Sequence, residues 1–375
     1  MALLDILFLV QGEGRGHLTQ ALALRERLEA AGHRVAAVLA GCSRSRRAPT
    51  FFLDAFDVPV VCLDSPNFVT GRARRGIRWA ATFGRALGRL PRYHAALRRL
   101  GAALDRYRPD VVVNFYEPLG GLYYALHRPS VPMVCVAHQY LYLHPAHRFP
   151  PGRRLPRLAL RTFTRLTAFG AARRLALSLY PLAPPPGEAI TVVPPLLRKA
   201  LFAQPQGAEE AFFLVYLLNH GYAADVERWH ARHPGVPLHV FWDHPAAAPV
   251  ERRDPTLTFH RLDGTRFLEL MARCRGLVTT AGFESVAEAM YLGKPVLAIP
   301  VEGHFEQFCN SRDAVRAGAG IARTAYDLDA LLAYLPHYES PAPRFRAWLE
   351  EGHGRIVEAI EAAAGVQRAA PVAAG

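Results

Sequence analysis

Residues 278–310 read VTTAGFESVAEAMYLGKPVLAIPVEGHFEQFCN, and their types suit a charged, hydroxyl-rich ligand. An apolar run ends at Thr279 and Thr280, a turn passes through Ala281 and Gly282, and Phe283, Glu284 and Ser285 open a helix. Free backbone N–H groups and the positive dipole end make such a turn an anion site, suited to a diphosphate. Gly282 lets a ligand come close to the backbone. Glu288 follows Glu284 on the same helical face, where a carboxylate can accept both hydroxyls of a ribose. Gly293 and Pro295 lead into the next strand, and beyond it Glu306 and Gln307 can bond sugar hydroxyls, with His304 beside them as a contact to sugar or phosphate.

A second segment, QGEGRGHLTQ, carries Gly12, Gly14 and Gly16 and then His17. A dinucleotide fingerprint needs glycine at position 17, and no acid closes the following strand RVAAVLAG, so a nicotinamide cofactor loop is excluded. His17 falls at the start of a helix, whose positive end disfavours the imidazolium; the neutral ring either accepts a proton or caps the helix. His138 follows the strand VPMVCVA and serves either a binding cleft or the core. The DLD at 327–329 precedes ALLAYL and reads as a helix cap rather than a metal motif.

These segments need strands to hold them. DILFLV, RVAAVLAG, VPVVCLD, DVVVNFY and VPMVCVAH read as buried strands, separated by amphipathic helices, two of them around 76–106 and 155–178. The proline-dense LAPPPGEAITVVPPLLRKA reads as a linker, and the alternation then restarts with AFFLVYLLNHG, PLHVFWD, RGLVTT and KPVLAIP. The expected fold is α/β, with two Rossmann-like domains facing across a cleft and ligands beyond the carboxyl ends of the strands. The expected limits are 1–190, 191–342, a C-terminal helix over 343–366 packing back on the first domain, and a disordered tail over 367–375.

At 375 residues and 51% hydrophobic composition, the chain can build two cores. Its net charge of +13 is unevenly spread: no Asp or Glu occurs from Pro118 to Gly187. There, and in the stretch holding Trp79 and Phe83, arginines interleave with apolar residues such as Phe163 and Phe169. That pattern fits an anionic membrane surface or an ordinary solvated basic face, and no nucleic-acid motif accompanies it. The N-terminus does not read as a signal peptide, and no apolar run is long enough to span a bilayer. Cys42, Cys62, Cys135, Cys274 and Cys309 are scattered, which reads as reduced thiols in a reducing compartment.

Gly282, Phe283, Glu284, Ser285, Glu288, Gly293, Pro295, Pro300, Glu306 and Gln307 together resemble the donor-site signature of GT-B glycosyltransferases. Phe283 stands for its tryptophan, Glu284 for its asparagine, and Thr280 for the histidine that contacts phosphate. The GEGRGHLTQ turn is similar to the Gly-Gly-x-x-Gly-His turn of the MurG-like transferases, which make lipid-linked sugars.

The resemblance implies a transferase that moves a sugar from a nucleoside diphosphate sugar, most often a UDP-sugar, to an acceptor hydroxyl. It implies inversion and neither metal nor cofactor, the nucleotide sugar being a substrate. His17 becomes the base, with Gly14, Gly16 and His138 around the acceptor and Asn219 and Gly221 near the donor. Glu117 is the expected orienting acid for His17, or else a loop carboxylate. A lipid acceptor implies a cytoplasmic protein peripheral on the inner face of the membrane. A 2-epimerase on the same fold, or a non-catalytic nucleotide-sugar-binding scaffold, are the alternatives.

Overall fold

The computed structural model describes all residues except 1–2, 13, 43–47, 67–89, 188, 206, 208, 218–219, 245–246 and 367–375. Asn219, Trp79, Phe83, most of the helix expected from 76 and the tail over 367–375 therefore lie outside the described residues. Two seven-stranded sheets are present. The first holds β1 (Asp5–Gln11), β2 (Arg34–Cys42), β3 (Val60–Asp64), β4 (Val111–Phe115), β5 (Met133–Ala137), β6 (Arg173–Leu177) and β7 (Ile190–Val193), in the order β3-β2-β1-β4-β5-β6-β7. All its pairings are parallel. Helices α1 (Arg15–Ala30), α2 (Leu90–Tyr107), α3 (Pro118–His127) and α4 (Arg154–Thr167) connect them.

The second sheet holds β8 (Phe213–Leu217), β9 (Leu238–Trp242), β10 (Val250–Arg252), β11 (Leu257–Arg261), β12 (Gly276–Thr279), β13 (Val296–Ala298) and β14 (Gly320–Ala322). Its order is β10-β11-β9-β8-β12-β13-β14, with only β10 antiparallel. Helices α5 (Ala223–His230), α6 (Gly264–Arg273), α7 (Phe283–Tyr291), α8 (Phe305–Arg316) and α9 (Leu328–Tyr334) accompany it. Sheets covered on both faces need strands that are apolar throughout, and Ile6 to Val10 of β1 are all fully buried.

Each sheet reverses its winding once, beside β1 and β4 in the first and beside β8 and β12 in the second. Such a switch point opens a crevice at the carboxyl ends of the strands. His17, Tyr116 and His138 leave the carboxyl ends of β1, β4 and β5. The 280–282 turn leaves β12 and the 299–304 loop leaves β13.

Three expectations are corrected. The helix expected over 155–178 stops at Thr167, because Gly170 takes φ +72° and the buried Leu175, Ala176 and Leu177 join the sheet as β6. The stretch expected as linker contains β7, so the limit set at 190 falls at the start of a strand of the first sheet. Cys42 and Cys62 are not reduced thiols: they form a disulfide between the neighbouring strands β2 and β3, while Cys135, Cys274 and Cys309 are free and buried.

The last helix, α10 (Ala342–Ala363), packs against β4 to β7 of the first domain and against α7 of the second. Trp348 Nε1 donates to the Ser178 carbonyl at 3.0 Å, and His33 Nε2 lies 3.0 Å from Glu361 Oε1, both rings' partners being buried.

The glycine turn after β1 divides into a packed and an open part. The Gly12 N–H donates to the Gly41 carbonyl at 3.0 Å, and a Cβ on Gly12 would lie 2.3 Å from that oxygen. A Cβ on Gly14 meets nothing within 4 Å. Gly12→Ala is therefore expected to lower the unfolding free energy by about 1–3 kcal/mol. Gly14→Ala, at the helix N-cap, is expected to cost less than about 1 kcal/mol. Denaturant titration of both variants checks the contrast.

Candidate active site

His17 occupies the first turn of α1, whose N-cap is Gly14, and it is 7% exposed. Its ring stacks on Tyr116, with centroids 5.5 Å apart and planes at 23°. Tyr116 leaves β4 in the left-handed region (φ +61°), a conformation that a non-glycine residue holds only under constraint. Its hydroxyl is fixed 2.8 Å from Thr164 Oγ1 on α4.

His17 Nδ1 lies 3.1 Å from Gln20 Oε1, and Gln20 Nε2 donates to Glu284 Oε1 of the second domain. Gln139 Nε2 lies 3.3 Å from His17 Nε2 and donates to Glu306 Oε1 at 3.2 Å. A carboxylate only accepts, so the Gln20 amide nitrogen faces Glu284 and its oxygen faces the ring. Nδ1 therefore carries the proton and Nε2 keeps its lone pair. Burial, with His138 adding to it and Glu306 and Gln20 opposing, pushes the His17 pKa down to about 4, so the ring is neutral at pH 7.

Glu117 is not the partner of His17 Nδ1. It is the N-cap of α3: its Oε1 accepts from the Leu119 N–H at 3.1 Å and from Ser65 Oγ at 2.5 Å. A carboxylate that directly precedes Pro118 at the first helical position is drawn to the free N–H groups of that turn.

In the second domain, Gly282 is the N-cap of α7 and Ala281 takes φ +58°, its carbonyl accepting from Asn310 Nδ2 at 3.2 Å. Ser285 Oγ donates to the Gly282 carbonyl at 3.1 Å and lies 3.1 Å from Thr279 Oγ1, which tightens the turn around Thr280. Phe283 presents its ring to His138 of the first domain, the two stacked at 4.6 Å and 7°. Among the described residues neither nitrogen of the buried His138 has a hydrogen-bond partner; its Nε2 is 3.5 Å from Glu306 Oε1. Burial pushes Glu306 up, but His138, His304 and His17 outweigh it and hold the carboxyl down at about 2. Burial also raises Glu284, against His138 and Gln20.

Glu288 is engaged already. It accepts from Arg198 Nε at 2.6 Å and Nη2 at 3.0 Å, while Arg198 Nη1 donates to the Gly264 carbonyl at 3.2 Å. His304 is the N-cap of α8, its Nδ1 accepting from the Gln307 N–H at 3.3 Å, and Gln307 Oε1 accepts from the Val301 N–H at 2.9 Å. Gly221 lies in the short turn after β8. Asp327 caps α9 through the Ala330 N–H, and Asp329 accepts from Trp229 Nε1.

The structure thus brings His17, His138, Glu284 and Glu306 together, and leaves Glu117 and Glu288 occupied elsewhere. Sequence reasoning missed Gln20, Tyr116, Gln139 and Arg198. Only Gln20 had a legible signal, its place one helical turn after His17.

Residues 4–337 match the family model of glycosyl transferase family 1. The chain belongs to that family. It is a glycosyltransferase, and the solved structures it is similar to share its fold. The calicheamicin glycosyltransferase CalG4 is 20% identical, with 99% of this chain and 100% of that one covered and a TM-score of 0.62. Acinetobacter baumannii MurG is 16% identical, covering 96% and 99%, with a TM-score of 0.57. Arabidopsis thaliana UGT89C1, solved with quercetin, is 16% identical, covering 97% and 100%, with a TM-score of 0.63. No curated protein sequence matches this glycosyltransferase.

The glycosyltransferase holds its two domains together across the cleft by further contacts. Tyr142 Oη donates to Asn310 Oδ1 at 2.7 Å and Tyr180 Oη to Asp313 Oδ1 at 3.0 Å. The Arg198–Glu288 pair buries the carboxylate, whose side chain is 3% exposed. Arg198→Met leaves that charge unpaired and is expected to destabilise the enzyme by roughly 2–4 kcal/mol. Adding Glu288→Gln is expected to recover part of the loss, which a double-mutant cycle by denaturant titration measures.

Proposed function

We propose that this glycosyltransferase moves a sugar from a nucleoside diphosphate sugar, with uridine as the nucleoside, to a hydroxyl of a lipid or lipid-linked acceptor, inverting the anomeric centre. The observation that carries the reading is His17: a buried neutral imidazole with its Nε2 lone pair at the seam where the first turns of α7 and α8 face the first domain. The acceptor hydroxyl displaces Gln139 and gives its proton to Nε2 while its oxygen bonds the anomeric carbon. The bond from that carbon to the diphosphate oxygen breaks on the opposite side. The departing charge is met by Thr280, Gly282, Phe283 and Ser285 at the α7 N-terminus.

Glu306, Gln307 and His304 take the sugar side of the donor, and Asn219 and Gly221 the nucleotide side. A ribose at Glu288 exchanges for Arg198, and Glu284 completes the donor wall. Gly14, Gly16 and His138 border the acceptor.

Helix α4 bears on the acceptor's class. Its inward Thr164 and Thr167 are buried, Thr164 holding the Tyr116 ring that backs His17. Its outward side exposes Leu155 (78%), Leu158 (61%) and, just past its end, Phe169 (55%), between Arg154, Arg157 and Arg165. Apolar side chains among arginines suit the interface of an anionic bilayer. No helix among the described residues is long and apolar enough to cross a membrane. The enzyme on this reading is peripheral, on the cytoplasmic face.

A thermal-shift panel of nucleotides and nucleotide sugars is expected to single out uridine diphosphates; no shift with any of them overturns the donor assignment. His17→Ala is expected to keep that shift and lose about 10²–10⁴-fold in transfer rate. With His17 near 4, the acid limb of kcat/KM is expected near pH 4 rather than near the usual histidine value. Sedimentation with anionic vesicles is expected at low salt and to fade as salt rises; no binding at low salt removes the membrane face from the proposal.

A further inference from the structure

The arrangement around His17 leaves one role without an owner. A base that takes a proton at Nε2 must be held in the Nδ1–H tautomer, and the carboxylate expected to do so caps α3 instead. We propose that Gln20 is the positioning residue of His17, and that Glu284, carried by the opposite domain, sets the sense of the Gln20 amide. The base then holds its working tautomer only while the domains meet. The inference rests on His17 being the base.

Three observations and the chemistry of the amide support it. Gln20 is 1% exposed and sits one turn after His17 on α1, so its side chain is confined beside the ring. Tyr116 stacks under the imidazole and fixes its plane, which leaves the proton's position as the remaining choice. An amide offers either N–H or C=O, and by itself it favours neither tautomer. Glu284 removes the ambiguity, since it draws the amide nitrogen and leaves the oxygen to accept from Nδ1–H.

Gly16 belongs to the same device. A Cβ there would lie 2.5 Å from Glu284 Oε2, so the missing side chain is what lets the carboxylate of the second domain reach the start of α1. The third glycine of the turn therefore admits a protein group.

The groups facing His17 make an amide the fitting choice. Tyr116 lies beneath it, His138 and Gln139 follow β5, Glu306 comes from α8 and Glu284 from α7 behind Gln20. A carboxylate at position 20 would add charge and favour the imidazolium before the acceptor arrives. The amide orients without charging. When the proton arrives at Nε2, Nδ1–H stays on Gln20 Oε1 and no proton passes to Gln20.

The consequence is a gate. With the cleft open, Glu284 leaves Gln20, the amide turns freely, and its N–H can meet an unprotonated Nδ1. That sense puts the proton on Nε2, where it blocks attack by water on a donor held in an unclosed site.

The test is the tautomer itself, read by long-range proton–nitrogen spectra of the full chain labelled with ¹⁵N-histidine, His17 being assigned by its loss in His17→Asn. Wild type is expected to show protonated Nδ1 and bare Nε2 at neutral pH. Gln20→Ala and the nearly isosteric Glu284→Gln are expected to move the population toward Nε2–H. The exchange variant, Gln20→Glu with Glu284→Gln, keeps an acceptor at position 20 toward Nδ1–H, with the amide now donating to it from position 284. It is expected to recover the Nδ1–H tautomer and to raise the pH at which His17 titrates. Wild type with Nε2–H, or both single variants retaining Nδ1–H, overturns the proposal.

The kinetic arm separates this from the base reading. Gln20→Ala is expected to lower kcat by about 10-fold or more with donor KM within about 2-fold. The exchange variant is expected to recover rate with its acid limb displaced to higher pH, a shift that a merely structural role would not produce. If His17→Ala leaves transfer intact, the base reading fails whatever the tautomer spectra show.

Discussion

A parallel sheet returns its chain through helices, so every strand that leaves at the carboxyl edge delivers either a loop or a helix N-terminus there. Both sheets of this protein obey that constraint, and their switch points put the exits of β1, β4 and β5 opposite those of β12 and β13. Everything polar at the seam follows from it. His17, Tyr116 and His138 come from one edge; Glu284 and Glu306 come from first turns on the other. Neither domain alone assembles the set, because the hydrogen bonds that link His17 to the second domain's carboxylates run through Gln20 and Gln139.

The electrostatics follow from where those carboxylates sit. The first turns of α7 and α8 are positive ends, and each carries a glutamate there rather than an uncharged residue. Glu306 is held low chiefly by His138 beside it, whereas Glu284 is pushed up by burial against His138 and the Gln20 amide. Charge is thus concentrated near α8, and α7 is left with the less committed acid. On the proposed function, that difference separates a sugar-hydroxyl acceptor at Glu306 from a turn that must receive a diphosphate beside Glu284.

How far this was legible depends on the residue. The glycine–histidine turn and the 278–310 segment were readable because their information is local: a strand end, a glycine, a helix start. The strands β6, β7, β10, β11 and β14 were not: Arg173 and Arg174 open β6, prolines flank β7, and β10 and β14 span only Val250–Arg252 and Gly320–Ala322. The same limit governs the site. Glu117 and Glu288 carry the right chemistry, yet other groups claim them, the Leu119 N–H of its own helix and Ser65 Oγ in one case and Arg198 in the other. Arg198 has no motif at all; it is made relevant by the path of the chain between domains. A carboxylate's chemistry can be read from its type, but its availability is a property of what the fold places against it.

The helix α4 links chemistry to surroundings. A helix that covered only the sheet would bury leucines inward and show arginines outward. Here Leu160 and Phe163 pack inward beside the buried Thr164 and Thr167, while Leu155 and Leu158 face out. The threonine hydroxyls satisfy Tyr116 and Tyr140, so the buried side holds aromatic hydroxyls close to His17. Leu155 and Leu158 stay exposed among arginines, an arrangement that suits the interface proposed above. On the proposed function, one helix would then face the reacting centre on one side and a lipid surface on the other. An acceptor whose apolar part stays in that surface needs to bring only its hydroxyl past α4 to reach His17.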